Sequence, residues 1–79
     1  MRKIAILGST GSIGTQALDV IAANPTLFEL FAITGHSNVA LLAEQARRFK
    51  PNMVIVTDDS KYLELKESIS DLDDVKVFA

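Results

Sequence analysis

A chain of 79 residues has room for one small domain or for part of a larger one. Its 48% apolar content supports a packed core, and a formal net charge of −2 leaves no basic stripe with which to displace counterions from a nucleic acid. The absence of cysteine removes disulfides, thiolate metal sites and cysteine nucleophiles together.

At the amino terminus, Met1-Arg2-Lys3 precedes the apolar run Ile4-Ala5-Ile6-Leu7, which stops at Gly8. That run is shorter than the roughly 7–15 residues of a secretory h-region. No stretch approaches the roughly 18 apolar residues of a membrane span. The expectation is a cytoplasmic chain with neither a membrane nor a nucleic-acid partner.

Ile4 to Leu7 is continuous and partly β-branched, the pattern of a strand buried on both faces. From Ser12, Ile13, Ala17, Leu18 and Ile21 recur on one helical face until Asn24-Pro25 stops the helix. Phe28 to Thr34 reads as a second strand, closed by Gly35. Ser37-Asn38 then offers an N-cap to a second amphipathic helix marked by Val39, Leu42, Ala43, Ala46 and Phe49, and ended by Pro51. Met53 to Thr57 is a third strand of the buried type. Asp59 or Ser60 is expected to cap a third helix carrying Leu63, Ile69 and Leu72 inward, with Tyr62 at its edge. Val75 to Phe78 begins a fourth strand.

Strands and helices alternating at this spacing imply right-handed crossovers and a parallel sheet. The fold class is therefore α/β, a Rossmann-like parallel sheet of about four strands and three helices. No helix follows the fourth strand, so the chain is expected to be the first part of a larger domain.

Between the first strand and first helix lies Leu7-Gly8-Ser9-Thr10-Gly11-Ser12-Ile13-Gly14, with glycine at every third position. A phosphate at this carboxyl edge would meet the unpaired N–H groups and positive end of the helix. Close approach requires bare backbone. One glycine serves for leaving the strand, one for lying beneath a pyrophosphate and one for helix-strand contact, while Ser9, Thr10 and Ser12 offer small hydroxyls to phosphate oxygens. The spacing G-x-x-G-x-x-G differs from the commoner G-x-G-x-x-G, and no Lys-Ser or Lys-Thr pair follows to make a P-loop. A plain strand-to-helix turn is the alternative.

The second strand runs into Thr34-Gly35-His36-Ser37-Asn38, with no carboxylate to accept from a ribose 2′-hydroxyl. The Ser37 hydroxyl, the Asn38 amide, loop N–H groups and a protonated His36 would instead suit a 2′-phosphate, which favours NADP over NAD. Capping of the second helix is compatible with that role, because a helix N-terminus is itself an anion site. Asp58-Asp59 reads as a helix cap rather than a metal site. Arg47-Arg48-Lys50 reads as a solvated run that compensates a helix dipole, and Asp71, Asp73 and Asp74 as a solvated turn. No catalytic or metal-ligating constellation is visible.

The stretches ILGSTGSIGTQALDVI and FAITGHSNVALLAEQARRFKP together resemble the NADPH-binding region of the 1-deoxy-D-xylulose 5-phosphate reductoisomerase family, from Ile4 through about Val56. The resemblance implies that Thr10, Gly11, Ser12 and Ile13 surround the pyrophosphate, and that Gly35, His36, Ser37 and Asn38 surround the adenosine ribose and its 2′-phosphate. It implies an oxidoreductase of non-mevalonate isoprenoid biosynthesis that isomerises and reduces a phosphosugar. Such an enzyme uses NADPH and Mg²⁺ or Mn²⁺ and works as a homodimer. Residues 1–79 would be the N-terminal part of its NADPH-binding domain, inactive alone, with the catalytic and metal-binding residues beyond Ala79. A non-catalytic dinucleotide-binding module, or another NADP-dependent oxidoreductase such as a semialdehyde dehydrogenase, remains the alternative.

Overall fold

The computed structural model describes residues 2–79. In chain order the elements are β1 (Arg2–Ile6), α1 (Ser12–Ala23), β2 (Phe28–Gly35), α2 (Val39–Phe49), β3 (Met53–Val56), a 3₁₀ turn (Asp59–Lys61), α3 (Tyr62–Ser68) and β4 (Lys76–Phe78). The four strands form one sheet in the order β1-β2-β3-β4, with each neighbouring pair parallel.

That order fixes the layering. Each crossover steps the same way across the sheet, so right-handed connections place all three helices on one face. The Cα extents of 34 × 26 × 15 Å agree, since the thin axis accommodates one sheet and one helix layer. Leu18 and Ile21 of α1, Leu30 and Ile33 of β2, Leu42 and Ala46 of α2, Val54 and Val56 of β3, and Leu65 and Ile69 share one core between those layers. Fully burying each large aliphatic contributes about 1.5–3 kcal/mol.

The other sheet face carries no helix among the described residues. Strand alternation directs Ala5, Phe31, Thr34, Met53, Ile55 and Phe78 there, and Phe78 is 46% exposed. A bulge adds Phe31 between Leu30, the partner of Ile4, and Ala32, the partner of Ala5. Phe31 therefore lies on the outer face, under the Lys3 ammonium. This corrects the expectation for β1. It is an edge strand with Ile4 and Ile6 half-buried, Ala5 exposed and Leu7 82% exposed. The continuous apolar run is suited to cover on both faces, and these residues cover one.

Helix boundaries follow local chemistry. The α1 helix stops where Asn24 leaves helical geometry and turns its side-chain amide back to the Val20 carbonyl at 2.8 Å. The α2 helix stops at Lys50, whose left-handed backbone (φ 48°) still donates to the Ala46 carbonyl at 2.8 Å before buried Pro51.

The third helix differs from expectation. Asp58 caps the 3₁₀ turn, accepting from the Ser60 N–H at 3.1 Å, so α3 begins only at Tyr62. The helical phase is then set by Leu65 and Ile69, four residues apart and both buried, whereas Leu63 is 67% exposed. Two residues from Leu65 is about 200° around the helix, which turns Leu63 outward. The Asp71 region is likewise not a free turn. Arg47 grips the Asp71 carboxylate with two nitrogens at 2.7 and 2.8 Å and the Ser68 carbonyl at 2.6 Å, tying α2 to the end of α3. That ion pair holds the Asp71 carboxyl below its ordinary range and raises the guanidinium of Arg47.

Candidate functional site

Both glycine-bearing loops leave the carboxyl ends of adjacent strands, so β1·β2 pairing brings them together. The turn after β1 is stitched to β2 by two bonds. The Gly8 N–H donates to the Thr34 hydroxyl oxygen at 2.9 Å, and the Ser9 N–H donates to the Thr34 carbonyl at 2.7 Å.

The three glycines of the turn have separable causes. Gly8 has φ +72°, a left-handed conformation that L side chains rarely adopt. Gly14 sits against the turn itself, and a Cβ there would lie 2.3 Å from the Gly8 carbonyl oxygen and 2.7 Å from the Ser9 Cα. Gly11 has neither constraint, since its φ is −81° and an added Cβ would lie 3.4 Å from the Gly8 oxygen, an ordinary contact. The fold itself accounts for Gly8 and Gly14 and leaves Gly11 unexplained.

Gly11 is the N-cap of α1 and supplies no side-chain acceptor, and the first turn carries no acidic residue. The leading N–H groups of α1 are orphans by geometry, because the first intrahelical bond runs from Thr15 N–H to the Gly11 carbonyl at 2.9 Å. Orphan donors at a positive helix end, over bare backbone, suit an anionic ligand. An open cleft of about 630 Å³ beside them is lined by Leu7, Gly8, Gly11, Ser12, Ile13 and Gly14, among others. Ser12 is exposed and Thr10 half-buried. Ile13 is 83% exposed, so it lies at the mouth of this cleft and not on the buried helical face, where Gly14 takes its place. A comparably large cleft of about 550 Å³ lies at the opposite, amino end of the sheet, between α1 and the end of α2. It contains neither loop.

Ser9 corrects the expectation that it faces phosphate. It is fully buried, and its hydroxyl donates to Gln45 Oε1 at 2.7 Å.

In the second loop, Gly35 is buried against Leu42 while His36, Ser37 and Asn38 are exposed. Asn38 caps α2, its Oδ1 accepting from the Leu41 N–H at 3.2 Å. The His36 ring places Nδ1 2.8 Å from the Thr57 hydroxyl, and its carbonyl accepts from the Asp58 N–H at 2.9 Å. The Asp58 carboxyl is held below its ordinary range chiefly by the Ser60 hydroxyl and then the Ser60 N–H, with a smaller contribution from His36. It is thus committed to its own turn. Among the described residues, no group of three or more His, Asp or Glu side chains gathers as a metal site.

Thr34, Gln45 and Thr57 shape these loops although no motif marks them. Gln45 had a detectable signal. It lies three residues after Leu42 and four before Phe49, so it is a polar residue inside the apolar stripe of α2.

Comparison with known proteins identifies a family. A family model described as 1-deoxy-D-xylulose 5-phosphate reductoisomerase matches residues 4–79. The protein of that name from Phocaeicola vulgatus is 58% identical over 78 residues, covering 99% of this chain and 20% of the relative. The chloroplastic protein of Mentha piperita is 49% identical over 74 residues, covering 94% of this chain and 16% of its own length. Among solved structures, the reductoisomerase from Zymomonas mobilis in complex with NADPH superimposes with a TM-score of 0.93 at 36% identity, over 99% of this chain and 20% of that one. A reductoisomerase with NADPH, fosmidomycin and magnesium gives 0.90 at 32% identity, over all of this chain and 20% of that one. This chain thus spans about a fifth of the length of these relatives. It belongs to the 1-deoxy-D-xylulose 5-phosphate reductoisomerase family.

Proposed function

From that family membership we propose that residues 1–79 are the N-terminal part of the NADPH-binding Rossmann-like domain of a reductoisomerase. The full-length protein isomerises and reduces 1-deoxy-D-xylulose 5-phosphate to 2-C-methyl-D-erythritol 4-phosphate, in the cytoplasm and as a homodimer. The observation that carries the cofactor assignment is the pairing of two loops on neighbouring strands. One offers orphan helix N–H groups over a glycine that the fold does not require, and the other offers exposed donors and no carboxylate.

Thr10, Gly11, Ser12 and Ile13 line the pyrophosphate, with the N–H groups of Ser12 and Ile13 as donors and exposed Ile13 shielding one side from water. Gly35, His36, Ser37 and Asn38 hold the adenosine ribose and 2′-phosphate. Thr57 orients the His36 ring, and Asn38 presents the N-terminus of α2 while capping it. When bound, NADPH supplies a hydride to a substrate carbonyl. The nicotinamide contacts, catalytic carboxylates and Mg²⁺ or Mn²⁺ ligands belong to residues outside this chain, which alone is inactive. The uncovered outer sheet face and the length of the relatives support a larger domain. No described helix is long and apolar enough to cross a membrane, which is compatible with the cytoplasmic assignment.

The test is NADPH oxidation by the full-length protein with 1-deoxy-D-xylulose 5-phosphate and Mg²⁺ or Mn²⁺, with NADH in parallel. Metal-dependent turnover favouring NADPH is expected. NADPH binding without turnover would instead support a non-catalytic dinucleotide module.

A further inference from the structure

Gln45 is 6% exposed and Ser9 is fully buried, and the two side chains meet across 36 residues of sequence. Two bonds join them. The Gln45 Nε2 donates to the Ser9 carbonyl at 2.8 Å, and its Oε1 accepts from the Ser9 hydroxyl at 2.7 Å. Only one orientation of the amide satisfies both bonds. An amide on the apolar face of α2 is costly to bury unless it is bonded, and a Leu or Met of similar size would fill the space without that cost. The position therefore has a use beyond packing.

A trans peptide points its C=O and the following N–H in opposite directions, and the described residues contain no cis bond. With the Ser9 carbonyl drawn inward to Gln45, the Thr10 N–H must point outward. It then lies on the side away from Gln45, one residue before Gly11, the N-cap of α1.

We propose that Gln45 is a positioning residue of the cofactor turn: it orients the Ser9–Thr10 peptide so that the Thr10 N–H is presented to the pyrophosphate. This rests on the NADPH assignment above and adds to it a buried residue, on a different element, that sets the backbone donor. Gln45 lies seven residues beyond Asn38 on the same helix, about 10 Å along its axis. The α2 helix thereby caps itself in the 2′-phosphate loop and braces the pyrophosphate turn, which sets the spacing between the two loops.

The test uses the full-length protein and its Gln45→Met and Gln45→Leu variants, titrated with NADPH and separately with adenosine 2′-monophosphate, which lacks the pyrophosphate. Thermal unfolding without ligand checks that each variant is folded. Gln45→Met should weaken NADPH roughly tenfold, the scale of one lost hydrogen bond to a charged group, and leave adenosine 2′-monophosphate within about twofold. Gln45→Leu likewise has no N–H for the Ser9 carbonyl, so it should share the loss; it also carries the test if Gln45→Met fails to fold. Wild-type NADPH affinity in either folded variant would overturn the proposal, as would equal weakening of both ligands. A wild-type protein that does not bind NADPH would overturn the cofactor assignment itself, a result visible before any variant is made.

Discussion

The turn after β1 and the loop after β2 sit side by side at one edge of the sheet, yet they are built by opposite means. The first presents backbone. Its serine is turned inward to Gln45, its glycines remove Cβ atoms, and its peptide planes are fixed by Thr34 and Gln45. The second presents side chains, with His36, Ser37 and Asn38 all exposed on a short bend between β2 and α2. A backbone site is indifferent to most side-chain chemistry and intolerant of added volume. A side-chain site is the reverse, so under the proposed assignment pyrophosphate affinity would be set by shape in one loop and cofactor choice by residue identity in the other.

Gly14→Ala attacks the first loop most severely. The new Cβ would sit 2.3 Å from a backbone oxygen that is itself held in the turn. The expected loss is about 3 kcal/mol in urea unfolding of the full-length protein, together with loss of NADPH binding. An unchanged midpoint would show that the turn is looser than its bonds imply. Gly11→Ala should separate stability from binding. Its Cβ meets only an ordinary contact, so stability should move by less than about 1 kcal/mol while NADPH weakens about tenfold or more. If binding survives, backbone approach at Gly11 is not how the pyrophosphate is held. The Gln45 variants come next, leaving Gly11 in place and changing only the orientation of the Ser9–Thr10 peptide.

Asn38→Ala tests the second loop, and removing the α2 cap should cost about 1 kcal/mol. Its NADPH affinity should fall further than its NADH affinity, because only NADPH carries the 2′-phosphate. Equal losses would reduce Asn38 to a cap. The smallest effect is on acid stability. Asp58 and Asp71 both lie below their ordinary value of 3.8 when folded, held by Ser60 and Arg47. Their contribution is complete above that value and is lost as pH falls through the lower, folded values. Asp71→Asn should flatten the acid limb of the unfolding curve while changing NADPH affinity little.

The element order was legible throughout, because strand-type runs and helix-type periodicity alternate without ambiguity from Ile4 to Phe78. Helical phase was less so. Leu63 and Leu65 are both apolar and about 200° apart on the helix, so only one can face the core, and packing gives that place to Leu65. Ile13 reads as core from its spacing with Ala17, but Gly14 must occupy the contact with the turn after β1, and that rotates Ile13 outward.

By itself the sequence determined the alternating α/β order, the two loops at the carboxyl ends of adjacent strands, and the absence of an acid at the second. These are local properties of apolar period, glycine placement and residue type. Only the tertiary structure decided which glycines the fold requires, that Ser9 turns inward to Gln45 from 36 residues away, and which sheet face the helices of the described residues cover. Those outcomes depend on contacts between distant segments, which no period or spacing along the chain encodes.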